Sequence, residues 1–194
     1  MKQRELFDIA VSWFSISLAF AFIYSGGFFQ VIGVEKVPFF SAFVLSAFAV
    51  GTGFVLHELA HRFVAKKFGL HAEYRMWVFG LVFAIALALF TPFIFAAPGA
   101  VYIFGKDVSR KKNGLISLAG PATNIGLGII FLVFGTLVLG AAISGALFFA
   151  ASVNFFLALF NLIPFGPLDG SKVFEWNPLV WAVFFVPMLL VFLL

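Results

Sequence analysis

What most constrains this chain is the length of its apolar runs. They fall near 8–32, 38–65, 113–140, 144–163 and 177–194, and a run of about 20 such residues is what a helix needs to cross the bilayer core. Composition agrees. Soluble domains carry about 25% charged residues, whereas here the share is 10%, with 63% hydrophobic and 20% aromatic, and the mean hydropathy is +1.15. The net charge of +4 is read as topology rather than as nucleic-acid binding, because Lys and Arg of membrane chains gather in cytoplasmic loops. No cysteine is present, so disulfides and thiolate metal sites are excluded, and His, Asp and Glu are left as metal ligands.

The opening MKQRE and the apolar run from Ile9 to Ile32 resemble a signal sequence in outline, with Ala19 and Ala21 as an A-x-A site. The run exceeds the roughly 7–15 residues of a signal core, so an uncleaved first span is expected.

One further apolar stretch, Met76 to Phe104, is interrupted by Thr91-Pro92 and by Pro98-Gly99 and is basic on both flanks. If it crossed the membrane with the N-terminus inside, Lys2, Arg4, Arg62, Lys66, Lys67 and Arg75 would lie inside and the other six Lys and Arg outside. If it enters and returns, Lys106, Arg110, Lys111, Lys112 and Lys172 join the inner side and Lys36 alone stays outside. The second distribution obeys the positive-inside rule. The expected architecture is therefore an all-α polytopic bundle of five transmembrane helices, six if the stretch spans, with a membrane-embedded hairpin. Its N-terminus is cytoplasmic and its C-terminus outside. Irregular backbone at membrane depth must be shielded by protein or line a wet cavity, so the hairpin implies a cavity. Residues 1–194 read as one domain, without repeats or linkers.

The second run contains Val55-Leu56-His57-Glu58-Leu59-Ala60-His61. In this HExxH pattern the two His, four apart on a helix, share a face and can reach one zinc ion. Glu58 can take a proton from the attacking water and return it to the leaving amine. Three ionisable groups within five positions of a membrane helix are costly unless they line a functional cavity.

A catalytic zinc takes three protein ligands, and several candidates for the third remain. His71 lies ten residues beyond His61, off the metzincin spacing HExxHxxGxxH, and reads as an interfacial loop residue. Glu73 and Glu175 neighbour basic or interfacial residues. Asp169 closes the segment Asn161-Leu-Ile-Pro-Phe-Gly-Pro-Leu-Asp169-Gly170, where two Pro and two Gly unwind the fourth span and let the carboxylate turn inward.

From about Val50 to Lys172 the chain resembles the site-2 protease family of intramembrane metalloproteases, in particular its short archaeal-type members without PDZ or CBS domains. HELAH matches the family's HExxH, NLIPFGPLDG its Asn-Pro-Asp-Gly motif, and Gly120-Pro121-Ala122-Thr123-Asn124 its GPxxN element. The resemblance implies Asp169 as third ligand of one Zn2+ per chain beside His57 and His61. It also implies a zinc endopeptidase acting within or near transmembrane helices of substrate proteins in regulated intramembrane proteolysis. The apolar insertion from Trp77 to about Phe95 departs from the short β-hairpin of better-known members.

The oxyanion of peptide hydrolysis needs a donor besides the metal, and Asn124 and Asn161 are the candidates, each equally readable as interhelical polar glue. The β-prone Val101-Tyr102-Ile103 offers a strand edge for an unwound substrate, or else a plug that packs the bundle. The expected partners are a transmembrane protein substrate and the lipid bilayer. HELAH and Asp169 are expected toward the cytoplasmic side, and the basic group at 106–112 at anionic headgroups. A membrane metal transporter or a non-proteolytic zinc-binding membrane protein is the rival reading. A protease using Glu175 in place of Asp169 is another.

Overall fold

The computed structural model describes residues 1–26, 37–91, 98–105 and 108–193. Along the chain come α1 (Gln3–Tyr24), α2 (Phe39–Lys67), β1 (His71–Met76), α3 (Val78–Phe90), β2 (Gly99–Phe104), α4 (Arg110–Leu137), α5 (Ala141–Leu162), α6 (Asp169–Trp176) and α7 (Pro178–Leu193). Among the described residues α1, α2, α4 and α5 are long and apolar enough to cross a membrane. The last expected span forms as α7, whose 16 residues reach about 24 Å at 1.5 Å per residue. The first helix starts at Gln3 and ends at Tyr24, earlier at both ends than the hydropathy run. Ile32, Lys36, Pro92 to Ala97 and Lys106, which the sequence reading used, lie outside the described residues.

Helix α2 is central, packing on α1, α4 and α5. Its end is coded locally. Gly69 takes φ +74°, which glycine tolerates without strain. The Gly69 N–H donates to Lys66 O at 2.9 Å and the Leu70 N–H to Ala65 O at 3.1 Å. These paired bonds satisfy the last carbonyls and reverse the chain into β1. Ser109 caps α4, its hydroxyl accepting from the Lys112 N–H at 3.3 Å, as a short polar side chain does at a helix start.

In place of the expected hairpin at 76–104, the unit that forms over 71–104 is strand, helix, strand. β1 and β2 pair antiparallel from His71 opposite Phe104 to Met76 opposite Gly99, and the Trp77 N–H continues the ladder to Pro98 O at 2.8 Å. The two flanks therefore lie at the same end of the sheet. Helix α3, inserted between the strands, packs on α1. It buries Gly80, Leu81, Ala84 and Ala88 and exposes Phe79, Val82 and Phe83. The bundle is thus not purely helical, since it carries this two-stranded sheet. Ile9, Ile16 and Phe20 of α1, Val50 and Phe54 of α2, Tyr74, Leu81, and Val153 and Leu157 of α5 form the main core.

Candidate metal centre

Helical spacing alone brings His57 and His61 together on α2, their rings 4.6 Å apart and nearly perpendicular. Asp169 arrives by a different route. Helix α5 stops at Leu162, and the turn Ile163–Leu168, with Gly166 at φ +59°, leads to a new helix beginning at Asp169 itself. Gly170 makes the turn possible, because a Cβ there would collide with the Leu162 carbonyl. That carbonyl accepts the Trp181 indole N–H at 2.7 Å, and the Lys172 ammonium donates to Pro167 O and Leu168 O. The turn is thereby tied to α6 and α7.

The result is convergence. Asp169 Oδ2 lies 3.3 Å from His57 Nε2 and 3.0 Å from His61 Nε2. The opposite ring nitrogens are engaged too, with His57 Nδ1 2.5 Å from Asn124 Oδ1 and His61 Nδ1 2.7 Å from Ile116 O. Both partners are acceptors, so each Nδ1 carries the proton and each Nε2 turns its lone pair toward the carboxylate. Three lone-pair atoms facing one point repel unless a cation lies between them. The donor set therefore fits a borderline divalent metal. Among the described residues this is the group whose ligand atoms come together, all within 4.8 Å of one another. Helix α4 comes this close because residue 120 is glycine, where a Cβ would stand 2.5 Å from both Nε2 atoms.

The cluster opens on a cavity of about 410 Å³ lined by both His, Asp169, Glu58, Asn161 and residues Gly99 to Ile103 of β2. Glu58 is buried, and its Oε2 has no hydrogen-bond partner. Asn161 reaches the cavity while its amide donates to Leu157 O at 2.9 Å. Asn124 does not line the cavity. It is fully buried, and its Nδ2 donates to Gly53 O and Asn154 Oδ1, each at 3.0 Å. Its amide hydrogens are thus committed away from any oxyanion.

Of the other candidate ligands, His71 opens β1 and bonds Glu73 Oε1 at 3.1 Å. Glu73 also meets Lys2 and Arg75, and Glu175 is exposed on α6. None belongs to the convergent group. Sequence reading missed Asn154 and the Ile116 carbonyl. Asn154 had a signal, being an amide inside an apolar span where polar side chains require partners. A backbone carbonyl carries none.

Helices of membrane-spanning length around an HExxH helix and a two-His, one-carboxylate cluster define a membrane-embedded protein built to hold a metal. The model of Peptidase family M50 matches residues 45–146 and 137–184, and the chain belongs to this family. It is similar to MJ0611 of Methanocaldococcus jannaschii, 39% identical over 189 residues, 97% of this chain and 92% of that protein. It is also similar to Rip3 of Mycobacterium tuberculosis, 32% identical over 60% of this chain and 26% of Rip3, and to YwhC of Bacillus subtilis, 34% identical over 63% of this chain and 64% of YwhC. All three carry the provisional name of zinc metalloprotease. No solved structure matches the chain.

Proposed function

We propose that the chain is a zinc endopeptidase that cuts peptide bonds within or near the transmembrane helices of substrate proteins, in regulated intramembrane proteolysis. The observation that carries this reading is the meeting of His57, His61, Asp169 and the unpartnered Glu58 carboxylate in one cavity beneath a strand edge. One Zn2+, held by His57, His61 and Asp169, supplies Lewis acidity to the scissile carbonyl and to water. Glu58 is the general base, taking the proton of the attacking water and passing it to the leaving amine. Asn161, facing the cavity, is the side-chain donor to the oxyanion. Asn124 instead orients His57, the kind of partner that fixes a metal-binding imidazole.

Residue register supports β2 as the substrate's platform. The Tyr74 N–H donates outward to Glu5 Oε1 at 3.2 Å, so Tyr74 and its partner Val101 form a pair that is not hydrogen-bonded to each other. Val101 and, two residues either side, Gly99 and Ile103 therefore turn their backbone groups toward the free edge. An unwound transmembrane segment can add to such an edge as a third strand. The α1 carboxylate meanwhile occupies the outer edge of β1. The same pairing, with His71 opposite Phe104, supports a re-entrant 76–104 stretch, a cytoplasmic N-terminus and an active site toward the cytoplasm.

The test is cleavage of an unwinding-prone transmembrane substrate by detergent-purified wild type and Glu58→Gln, with zinc measured on the same samples. We expect cleavage by wild type alone and about one zinc per chain in both. Equal cleavage by the two would remove Glu58 from the chemistry. Zinc in both with cleavage in neither would shift the assignment to metal transport.

A further inference from the structure

The amide of Asn124 is not an isolated partner of His57. It belongs to a relay across three helices, beginning at the backbone of α5. Asn154 Nδ2 donates to Ala150 O at 2.9 Å. Since a carbonyl only accepts, this fixes which end of the Asn154 amide is nitrogen and turns its Oδ1 toward α4. There it accepts from Asn124 Nδ2 at 3.0 Å, and Asn124 Nδ2 also donates to Gly53 O at 3.0 Å. Asn124 Oδ1 is left facing His57 Nδ1 at 2.5 Å. Asn124 and Asn154 are both fully buried, so no solvent stands ready to replace a missing partner.

We infer that Asn154 is a positioning residue for the metal centre, acting through Asn124 to hold His57 in the tautomer whose Nε2 lone pair faces the metal. The argument is geometric. The two N–H bonds of a primary amide lie in one plane. One acceptor leaves the amide free to swivel about that hydrogen bond, whereas two acceptors in different directions fix the plane. Gly53 O is the first acceptor and Asn154 Oδ1 the second. Only with both does Asn124 Oδ1 stay aimed at His57 Nδ1. Residue 53 accommodates the arrangement by being glycine, because a Cβ there would stand 3.1 Å from Asn154 Oδ1 and 2.9 Å from Leu157 Cδ1. His61 is held otherwise, by the Ile116 carbonyl, which no side-chain substitution removes. The chain thus contains its own reference, with one imidazole inside the relay and one outside it.

The inference rests on the reading of His57 as a metal ligand, and its test separates the two. The chain has three His, so the ring nitrogens of metal-free, 15N-His-labelled protein in micelles are resolvable by NMR. Wild type is expected to show both His57 and His61 protonated at Nδ1. Asn154→Leu, close in volume and apolar, is expected to give His57 a second population protonated at Nε2 while His61 stays unchanged, and to weaken zinc binding about tenfold. Asn154→Asp, which when neutral donates to Ala150 O and accepts from Asn124, is expected to restore the wild-type His57 signal and most of the affinity. Asn154→Ser, too short to reach Asn124, serves in place of Leu if that variant does not accumulate. The relay is overturned if His57 is unmoved by loss of Asn154, if His57 and His61 move together, or if Asn154→Asp behaves like Leu. Failure of wild type to bind zinc while the tautomers respond as expected would sink the metal reading and leave the relay standing.

Discussion

Two buried polar clusters sit back to back on α2, where His61 and Arg62 are adjacent in sequence yet belong to different ones. Around Arg62 the charges cancel. Its Nε lies 2.9 Å from Glu5 Oε1, Arg75 lies 2.7 Å from Glu73 and 3.8 Å from Asp8, and Lys2 completes the group on Glu73. Three acids thus meet three bases. Around His61 the balance fails, because two imidazole lone pairs and a carboxylate converge with no protein cation between them. The first cluster balances its formal charges within the protein, although Glu5 Oε2, Arg62 Nε and Arg75 Nη1 lack hydrogen-bond partners, and it fastens α1 and β1 to the end of α2. The second is completed only from outside. A buried ionic group that neutralises itself is therefore structural, and one that lacks a cation is a binding site.

The sharpest way to break this contrast is Asp169→Ala. Two His on one helical turn remain, but the anionic third ligand is gone, and a catalytic zinc site takes three protein ligands. Zinc content should fall from about one per chain to near zero, with cleavage lost alongside. The metal-free form should unfold at about the wild-type apo temperature, since the Arg62 cluster is untouched. Retained zinc would transfer the third ligand to the exposed Glu175 and leave the two clusters indistinguishable as far as Asp169 is concerned.

How far each cluster could be read from sequence follows from the same contrast. His57, Glu58 and His61 were legible because helical period places them, whereas the break at Pro164, Gly166 and Pro167 made Asp169 only one candidate among several, which the family resemblance then singled out. The partners that orient the imidazoles were not legible. Asn124 and Asn154 lie in different helices from His57, and nothing local says which amide faces which. The Arg62 cluster was hidden differently. Glu5 and Asp8 stand where a solvated flank before the first span is expected, yet α1 begins at Gln3 and both are buried. The stretch 76–104 is apolar throughout, and a run without period does not separate strand from helix. Its strand–helix–strand form is decided by pairing across the interval from Met76 to Gly99.

A smaller effect, on stability rather than metal, is expected from Arg62→Met. It leaves the Glu5 carboxylate, only 1% exposed, without its closest cation, and removing one partner of a buried pair costs about 3–5 kcal/mol. Adding Glu5→Gln removes the stranded charge and keeps an acceptor for the Tyr74 N–H, so the double variant should recover most of the loss. Denaturant unfolding in mixed micelles measures both. Zinc per folded chain should be unchanged in either, although the substitution neighbours His61. A double variant no better than the single would mean that the pair is not coupled and the cluster is not a balanced unit.

The smallest effect is that of acid on Glu73. Hydrogen bonds from Lys2 and His71, with the charges of Lys2 and Arg75, lower its pKa to about 2, against about 4.3 for an unperturbed Glu. A carboxyl whose folded pKa is depressed binds fewer protons folded than unfolded. Its contribution is therefore fully present above about pH 4.3 and is lost as pH falls from there toward 2. Lys2 is largely exposed, so solvent and salt screen much of the interaction, and added salt should shrink it further. In metal-free protein, where ligand protonation releases no zinc, the thermal midpoint of Glu73→Gln should lie below wild type at pH 7 and approach it as pH falls toward about 2. Parallel curves across that window would show that Glu73 contributes nothing through its charge. The cluster would then rest on Arg62 and Glu5, leaving Lys2 at the start of α1 and His71 of β1 as surface residues rather than parts of the fastening.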